Sequence, residues 1–193
     1  MARSYHHGAL RLALLDAAEK ILERDGIGGL TLRAAAREAG VSHAAPTHHF
    51  GNISGLLSAL AASGFIRFRT RIEEEIAAAP PGEAAVGVRR GYLAFAVGSP
   101  ALFQLMFRSE QLDWSNQVLA EAGAAAFGLL APADGSGPLD IDALAQSMAE
   151  WSMLHGLSTL LIDGRLDAVA MELLPGVNIQ ELIDRVLRKS PCR

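Results

Sequence analysis

The segment Thr31-Leu-Arg-Ala-Ala-Ala-Arg-Glu-Ala-Gly-Val-Ser-His-Ala-Ala-Pro-Thr-His-His-Phe50 decides the fold of this chain. Thr31 is a predicted N-cap, because its hydroxyl can accept a hydrogen bond from the first turn of a helix. Gly40 tolerates the positive φ at which that helix has to stop, and Ser42 is the predicted N-cap of a second short helix. Two helices joined so tightly form a helix-turn-helix unit, whose second helix can enter a DNA major groove.

The composition of the chain favours a helical globular protein. Its 193 residues are 50% hydrophobic, which is enough to bury a core and argues against disorder. Alanine and leucine dominate and β-branched runs are scarce, so we expect an all-α fold. The first 52 residues carry six Lys and Arg against five Asp and Glu, whereas the remainder carries 11 against 16. This asymmetry is weak, but it has the direction that DNA binding requires.

Membrane and export signals are not recognisable in the sequence. No apolar run reaches the roughly 18 residues that a membrane-spanning helix needs, and the first residues lack the apolar core of a signal peptide. The single cysteine, Cys192, cannot form an internal disulfide, which fits a reducing compartment. We therefore expect a cytoplasmic protein that has no contact with a membrane.

Helical periodicity extends along the rest of the chain and suggests two domains. Further helices are predicted over residues 9–24, 53–78, 83–98, 113–130, 140–163, 167–174 and 179–189. Another helix is predicted to begin at Pro100, with Ser99 as its cap. Asp140 and Asn178 are predicted N-caps, and residues 132–138 are a predicted flexible loop. Gly51-Asn52 interrupts the pattern, so residues 1–52 are predicted to form a three-helix helix-turn-helix DNA-binding domain. Residues 53–193 would form a helical bundle for effector binding and dimerisation.

The exposed face of the second short helix, about residues 42–48, would carry the side chains that read DNA. The candidates there are Ser42, His43, Ala44, Thr47 and His48. Serine, threonine and histidine can hydrogen-bond base edges, and an alanine methyl can meet a thymine methyl. Thr31 and Arg33 lie near a helix start, whose free N–H groups favour phosphate, and they are candidate phosphate contacts. The alternative for each of these seven residues is an ordinary solvated surface position.

The adjacent histidines do not predict a metal site. Neighbouring residues point to different faces of a helix, and no cysteine or carboxylate stands at ligand spacing beside His48 and His49. His49 is expected to be buried beside Phe50, where it would hold the second helix on the core. The sequence also lacks a Ser-His-Asp order, a phosphate loop and a carboxylate pair, so we predict no enzyme, no metal and no cofactor.

Two helices near the end of the chain carry faces suited to pairing with a second copy. Residues 140–163 present small side chains at helical spacing, namely Ala145, Ala149, Ser152, Gly156 and Thr159. Residues 179–187 carry an apolar seam with no obvious partner in the same helical hairpin. We therefore expect a homodimer through helices 140–163 and 179–189, as an isologous four-helix interface. The alternative is that both faces only fill the core of one chain.

A small apolar effector would need apolar walls and a few polar groups. The candidates that could supply them are Phe103, Met106, Phe107, Trp114, Met148, Trp151 and His155. Methionine suits an adaptable pocket. The alternative is that these residues simply pack the core, and a lone helical histidine such as His155 is more often a core residue than a ligand anchor.

Several motifs together resemble those of the TetR family of transcriptional regulators. In residues 10–60 they are Asp25-Gly26 at the end of the first helix, Leu30-Thr31-Leu32 with Ala35, Ala39-Gly40-Val41-Ser42, His49-Phe50 and Leu56-Leu57. Farther on, residues 100–107 and Trp151…His155-Gly156 resemble the subgroup whose C-terminal domain carries a Trp…His-Gly signature. The resemblance covers most of the chain.

The resemblance implies a small DNA-binding domain on a larger domain that dimerises and usually binds an effector. We therefore expect a dimeric repressor of double-stranded DNA, released from a pseudo-palindromic operator by a small molecule. The family usually has tyrosine at the position of Thr47 and lysine at that of Ile53, and both commonly contact phosphates. Each lost contact flattens the salt dependence of log K by roughly 0.9. The alternative is a small-molecule-binding protein on this scaffold, with weak or lost DNA binding.

Overall fold

The computed structural model describes residues 3–130 and 140–189, in which every regular element is an α-helix. Its elements are α1 (Arg3–Gly29), α2 (Leu32–Glu38), α3 (Ala45–Phe50), α4 (Ile53–Ala78), α5 (Ala84–Gly98), α6 (Pro100–Arg108), α7 (Gln117–Gly128), α8 (Ile141–Ile162), α9 (Arg165–Leu173) and α10 (Ile179–Arg188). The all-α prediction is confirmed. The predicted loop over residues 132–138 and Cys192 lie outside the described residues.

Three of the predicted N-caps are confirmed. The side chains of Thr31, Asp140 and Asn178 each accept a hydrogen bond from the backbone amide three residues later, at 3.0, 2.8 and 3.1 Å. Each bond satisfies one of the amides that a helix start leaves without an intrahelical partner. These three residues therefore fix where α2, α8 and α10 begin.

The predicted N-cap at Ser42 is wrong. The N-cap of α3 is Ala44, with no side-chain capping bond, and the carbonyl of Ser42 instead accepts from the amide of Ala45 at 3.0 Å. Pro46 explains the shift. A helix capped by Ser42 would need the fourth helical residue, Pro46, to donate the first intrahelical bond, and proline has no N–H. With Ala44 as the cap, Pro46 lies in the first turn, where no bond is lost.

Helices α1, α7 and α9 also differ from their predicted bounds by two residues or more, and α9, predicted over residues 167–174, begins at Arg165 and ends at Leu173. The helix predicted over residues 9–24 is longer, and it has the predicted break at Gly26, with φ 69° and ψ −176°, followed by a last short turn. The helix predicted from residue 113 begins only at Gln117. Asp113 instead closes a turn, because its Oδ1 accepts from the amide and the hydroxyl of Ser115 at 3.0 and 2.6 Å.

The chain divides into two compact units. The first unit comprises Met1–Ile66 and Ala101–Gly123, and the second comprises Arg67–Pro100 and Ala124–Arg193. The chain passes from one unit to the other inside α4, at the start of α6 and inside α7. The functional division at residue 52 stays a prediction.

Helices α1 and α2 contribute leucine, isoleucine and small alanine side chains to the core of the first unit. The buried residues of α1 and α2 are Leu14, Leu15, Ala17, Ala18, Ile21, Leu22, Ala35 and Ala36. Alanines at the contact let α1 and α2 approach closely, so the short α2 needs little apolar surface of its own to stay in place.

The second unit is organised around α5. A Cβ added at Gly87 would lie 2.7 Å from the carbonyl oxygen of Glu75, and one added at Gly91 would lie 2.5 Å from Cα of Ile72. The backbone of α5 therefore touches the C-terminal half of α4 directly. Helices α8 and α10 both pack on α5, and α9 packs on α8.

The apolar seam of α10 already has a partner in its own chain. Ile183 and Leu187 are buried, and α10 packs on α5. Helix α5 lies outside the hairpin of α10, so the prediction that the seam has no obvious partner within that hairpin is not contradicted. The contact leaves no local trace in the sequence because α5 is distant along the chain, and the pairing of α10 with a second copy stays a prediction. Ile179, Leu182 and Val186, on the same seam, remain half-buried.

Candidate nucleic-acid interface and effector site

All seven side chains predicted to contact DNA are exposed in the structure. They are Thr31, Arg33, Ser42, His43, Ala44, Thr47 and His48. Thr47 and His48 lie on α3, whereas Ser42, His43 and Ala44 belong to the turn before it. The surface predicted to contact bases is therefore divided between a turn and a short helix, because α3 begins three residues after Ser42, its predicted cap.

Helix α3 is held in place by its buried side and by its end. Pro46 is buried, α3 packs on α2 and α1, and Gly51 ends the helix with φ 74°. The guanidinium of Arg11, on α1, lies 5.3 Å from the centre of the Phe50 ring, an arrangement in which a cation is attracted to an aromatic face. His49 is half-buried with its ring 6.2 Å from that of Phe50, so its predicted burial is only partial.

The start of α2 offers a second exposed surface beside the turn. The hydroxyl of Thr31 accepts from the amide of Ala34, so it serves as a cap while the residue stays exposed. Arg33 is exposed in the first turn of the same helix. Arg24, by contrast, pairs with Asp25 at 2.9 Å and with Glu38 at 3.4 Å. Arg33 is thus better suited than Arg24 to contact a phosphate.

The predicted effector residues fall into two clusters, one in each unit. In the first unit the rings of Phe103 and Phe107 are 4.9 Å apart, and Phe65 links Phe107 to Trp114 at 5.4 and 6.0 Å. Phe103 is almost fully buried and Trp114 is 51% exposed. Met106 is also buried, and its Sδ would lie 2.6 Å from a Cβ added at Gly64, so it packs tightly against α4.

In the second unit a buried tyrosine joins two of the predicted residues. The hydroxyl of Tyr92 lies 3.2 Å from Nε1 of Trp151 and 3.1 Å from Nδ1 of His155. Phe127 completes the cluster with its ring 5.8 Å from that of Trp151. Met148 is half-buried one turn before Trp151 on the same helix.

The hydrogen-bonding chemistry of Trp151 limits where the proton of the Tyr92 hydroxyl can point. An indole N–H only donates, so the Tyr92 oxygen accepts from Trp151 and its own proton can go to Nδ1 of His155. Burial raises the pKa of the Tyr92 phenol, although the bond from Trp151 acts in the opposite direction, so the phenol keeps its proton. A His155 ring that accepts this proton at Nδ1 would carry its own proton on Nε2.

A buried ion pair lies one turn before Tyr92 on α5. Arg89 Nε donates to Glu150 of α8 at 2.5 Å, and its NH1 donates to the carbonyl of Leu187 in α10 at 2.8 Å. Arg89 is 7% exposed. One guanidinium therefore connects three helices through a carboxylate and a main-chain oxygen.

The sequence analysis missed Arg89, Tyr92 and Glu150. A signal was present, because Gly87 and Gly91 stand four residues apart and mark a face where another helix approaches closely. Arg89 lies between the two glycines, and Tyr92 directly follows the second. What the spacing cannot show is that their partners are more than 50 residues away.

Metal-binding clusters and membrane-spanning helices are both absent from the part of the chain that the structure describes. The described residues contain no group of three or more His, Cys, Asp or Glu that could hold a metal ion. In the same ranges, no helix is both long and apolar enough to cross a bilayer.

The sequence matches two families. Residues 85–188 match the family described as tetracyclin repressor-like, C-terminal domain, and residues 14–60 match the bacterial regulatory proteins of the tetR family. The first match covers more than half of the chain. None of the curated proteins matches the sequence significantly.

Solved structures resemble the whole chain. A protein of unknown function from Rhodococcus sp. RHA1 is 34% identical, with a TM-score of 0.73 over 95% of this chain and 92% of that one. The TetR family regulator PfmR from Thermus thermophilus is 17% identical, with a TM-score of 0.61 over 90% and 94%. A TetR-family regulator from Streptomyces coelicolor is 24% identical, with a TM-score of 0.58 over 94% and 95%.

Proposed function

This chain belongs to the TetR family of bacterial transcriptional regulators, and we propose that it is a dimeric repressor released from a pseudo-palindromic operator by a small apolar effector. The exposed surface of α3 and the turn before it carries this proposal. Five exposed side chains there would contact base edges. Buried Pro46 and the contact of Arg11 with the Phe50 ring hold α3 against the rest of the first unit. Thr31 and Arg33 would contact phosphates.

The proposed dimer uses α8 and α10. On α8, Ala145, Ser152 and Gly156 are exposed, and a Cβ added at Gly156 would meet open space. A second copy could therefore approach this face closely. Two reading helices related by a two-fold axis would enter successive major grooves about 34–36 Å apart.

The seven candidate effector residues form two separate candidate surfaces, one in each unit, and Tyr92 belongs to the surface in the second unit. In the second unit, Trp151 and His155 offer apolar surface and one inferred Nε2–H donor. In the first unit, Phe107 and the half-exposed Trp114 offer aromatic surface. An effector that binds one conformation better than another would shift the population away from the DNA-binding form.

The second candidate function is a small-molecule-binding protein with weak or lost DNA binding. Thr47 and Ile53 motivate it, because they replace the tyrosine and lysine that usually contact phosphates in the family. Helix α3 also carries no Arg or Lys, so it cannot make a bidentate contact to guanine.

Selection of bound duplexes from a random DNA pool, read by sequencing, tests the proposed function. An enriched inverted repeat supports a dimeric regulator and identifies the operator. No enrichment at low salt, with the dimer verified by light scattering, would overturn the proposal in favour of the second candidate.

Variants then separate phosphate contacts from base contacts. Arg33→Ala should weaken binding to all duplexes and reduce the salt slope of log K by about 0.9. Ile53→Lys should strengthen binding and steepen the slope by about the same amount, whereas Thr47→Tyr adds no charge and should strengthen binding with little change in the slope. Arg69→Ala is the matched control, because this exposed arginine pairs with Glu73 in the second unit. An equal effect of Arg69→Ala would contradict the assigned surface.

The dimer interface has its own test. Gly156→Glu places a charge on the proposed contact and should leave a folded monomer that no longer binds the inverted repeat. Gly128→Glu, at an exposed position of α7, should remain dimeric. A Gly156→Glu protein that stays dimeric in sedimentation velocity would exclude this face of α8.

A further inference from the structure

We propose that Ser54 and Ser58 are positioning residues that couple the segment between α6 and α7, residues 109–116, to the reading helix α3. The consequence for DNA rests on the proposed function, whereas the coupling itself is a property of the first unit alone. Every residue involved lies in that unit.

The two serines bind one short stretch of backbone. The hydroxyl of Ser54 donates to the carbonyl of Gln111 at 2.6 Å, and the oxygen of Ser58 accepts from the amide of Asp113 at 2.8 Å. The serines are one turn apart on α4, and Ser58 is fully buried. A carbonyl and an amide two residues apart are thus both held by neighbouring turns of one helix.

The bound segment is ordered by its own side chains. Asp113 Oδ1 accepts from the amide and hydroxyl of Ser115, and Asn116 Oδ1 accepts from the amide of Leu119 at the start of α7. Leu112 is 8% exposed and anchors the segment to the core. Because its turns are closed internally, the segment moves as one piece and transmits a displacement to the serines.

The same two turns of α4 touch the end of α3. Asn52 caps α4 by accepting from the amide of Gly55 at 2.9 Å. A Cβ added at Gly55 would clash with the carbonyl oxygen of Phe50, the last residue of α3. Only a glycine permits this approach, so the end of α3 rests directly on the backbone between the two serines.

These contacts form a continuous path from the segment to the reading helix. A shift of residues 109–116 must either break two hydrogen bonds, one of them part-buried, or carry the first turns of α4 and the end of α3 with it. The order and position of α3 therefore depend on a segment more than 50 residues away in sequence.

Hydrogen exchange on the full chain tests the coupling without DNA. Ser58→Ala should speed exchange in residues 109–116 by about five-fold, the factor expected from losing one net hydrogen bond. It should also speed exchange in residues 45–53 by a similar factor. Ser63→Ala, a half-buried serine on the same helix, is the matched control and should change neither.

Faster exchange in residues 109–116 alone, or in neither segment, would overturn the proposal. Exchange in α8 checks for general destabilisation and should not change. If Ser58→Ala fails to fold, Ser54→Ala provides the same test at a half-buried position.

Binding to DNA gives a readout that a general loss of stability would not move. For a duplex carrying the selected inverted repeat and a scrambled duplex, Ser58→Ala should lower the affinity ratio about five-fold and leave the scrambled affinity unchanged. Equal loss on both duplexes would count against a positioning role. If the wild-type chain selects no duplex, the proposed function fails, while the exchange result still decides the coupling.

Discussion

The helix-turn-helix segment and the cluster of α5, α8 and α10 hold their helices in different ways. In the first, the hydrogen bonds are local, from the Thr31 cap to the turn in which Ala45 donates to Ser42. In the second, Arg89 reaches Glu150 and Leu187, which are 61 and 98 residues away. The helix-turn-helix segment exposes its polar side chains, whereas the second cluster buries an ion pair and a phenol.

This difference separates surface chemistry from architecture. Apart from the Thr31 cap, the exposed side chains predicted to contact DNA can change with little effect on stability, because exposed substitutions that break no such feature usually cost less than about 0.5 kcal/mol. The second cluster has no such freedom. Its polar groups are buried or half-buried, so removing one partner leaves another group with little compensation from water.

The largest expected effect tests the long-range contacts that join α5 to α8 and α10. Arg89→Met should lower the free energy of unfolding by about 3–5 kcal/mol, because the Glu150 carboxylate is left buried and the carbonyl of Leu187 loses a donor. Urea denaturation measures the change. Arg90→Met, at the next and half-buried position, is the control and should cost about 0.5 kcal/mol or less.

The double variant Arg89→Met/Glu150→Met sharpens this result. Replacing both charges with apolar side chains removes the uncompensated carboxylate, so most of the lost stability should return. A double variant as unstable as Arg89→Met would mean that the bond to Leu187, not the ion pair, dominates.

A smaller effect is expected from Tyr92→Phe. Loss of the hydroxyl removes the acceptor of Trp151 and the partner of His155 Nδ1, at a cost of about 2 kcal/mol. Nitrogen chemical shifts of His155 should report the Nε2–H form in the wild type and a mixture of forms in the variant. Unchanged shifts would contradict the inferred proton arrangement.

The smallest effect concerns the local hydrogen bonds of the helix-turn-helix segment. Thr31→Ala should cost about 1 kcal/mol, because the amide of Ala34 loses its capping acceptor. Ser42→Ala should cost less than about 0.5 kcal/mol, because Ser42 is exposed and does not cap α3. Comparable losses in the two variants would restore Ser42 as a cap.

Much of the helical organisation was predictable because its signals are local. Thr31, Asp140 and Asn178 were identified as caps from their side chains alone, and Gly40 was identified as a helix end from its tolerance of positive φ. The seven proposed DNA contacts were identified in the same way. The prediction failed at Ser42, because Pro46, four residues later, has no N–H to donate to the Ser42 carbonyl, and α3 therefore begins after Ala44.

The effector candidates show a second limit. Phe103, Phe107 and Trp114 proved to be neighbours in the first unit, and Trp151 and His155 in the second. Helical spacing predicted the last pair. It did not reveal Tyr92, whose hydroxyl joins them from another helix, because periodicity records which residues share a face but not what lies opposite.

The sequence by itself determined the all-α class, the family, most helix ends and the set of side chains available to DNA. These depend on caps, glycines and apolar spacing within a few residues. Only the tertiary structure decided the partners of Arg89 and Tyr92, the burial of part of the α10 seam and the serine contacts to residues 109–116. Those depend on which distant segments meet, and the energy of a buried polar group is set by its partner rather than by its neighbours in sequence.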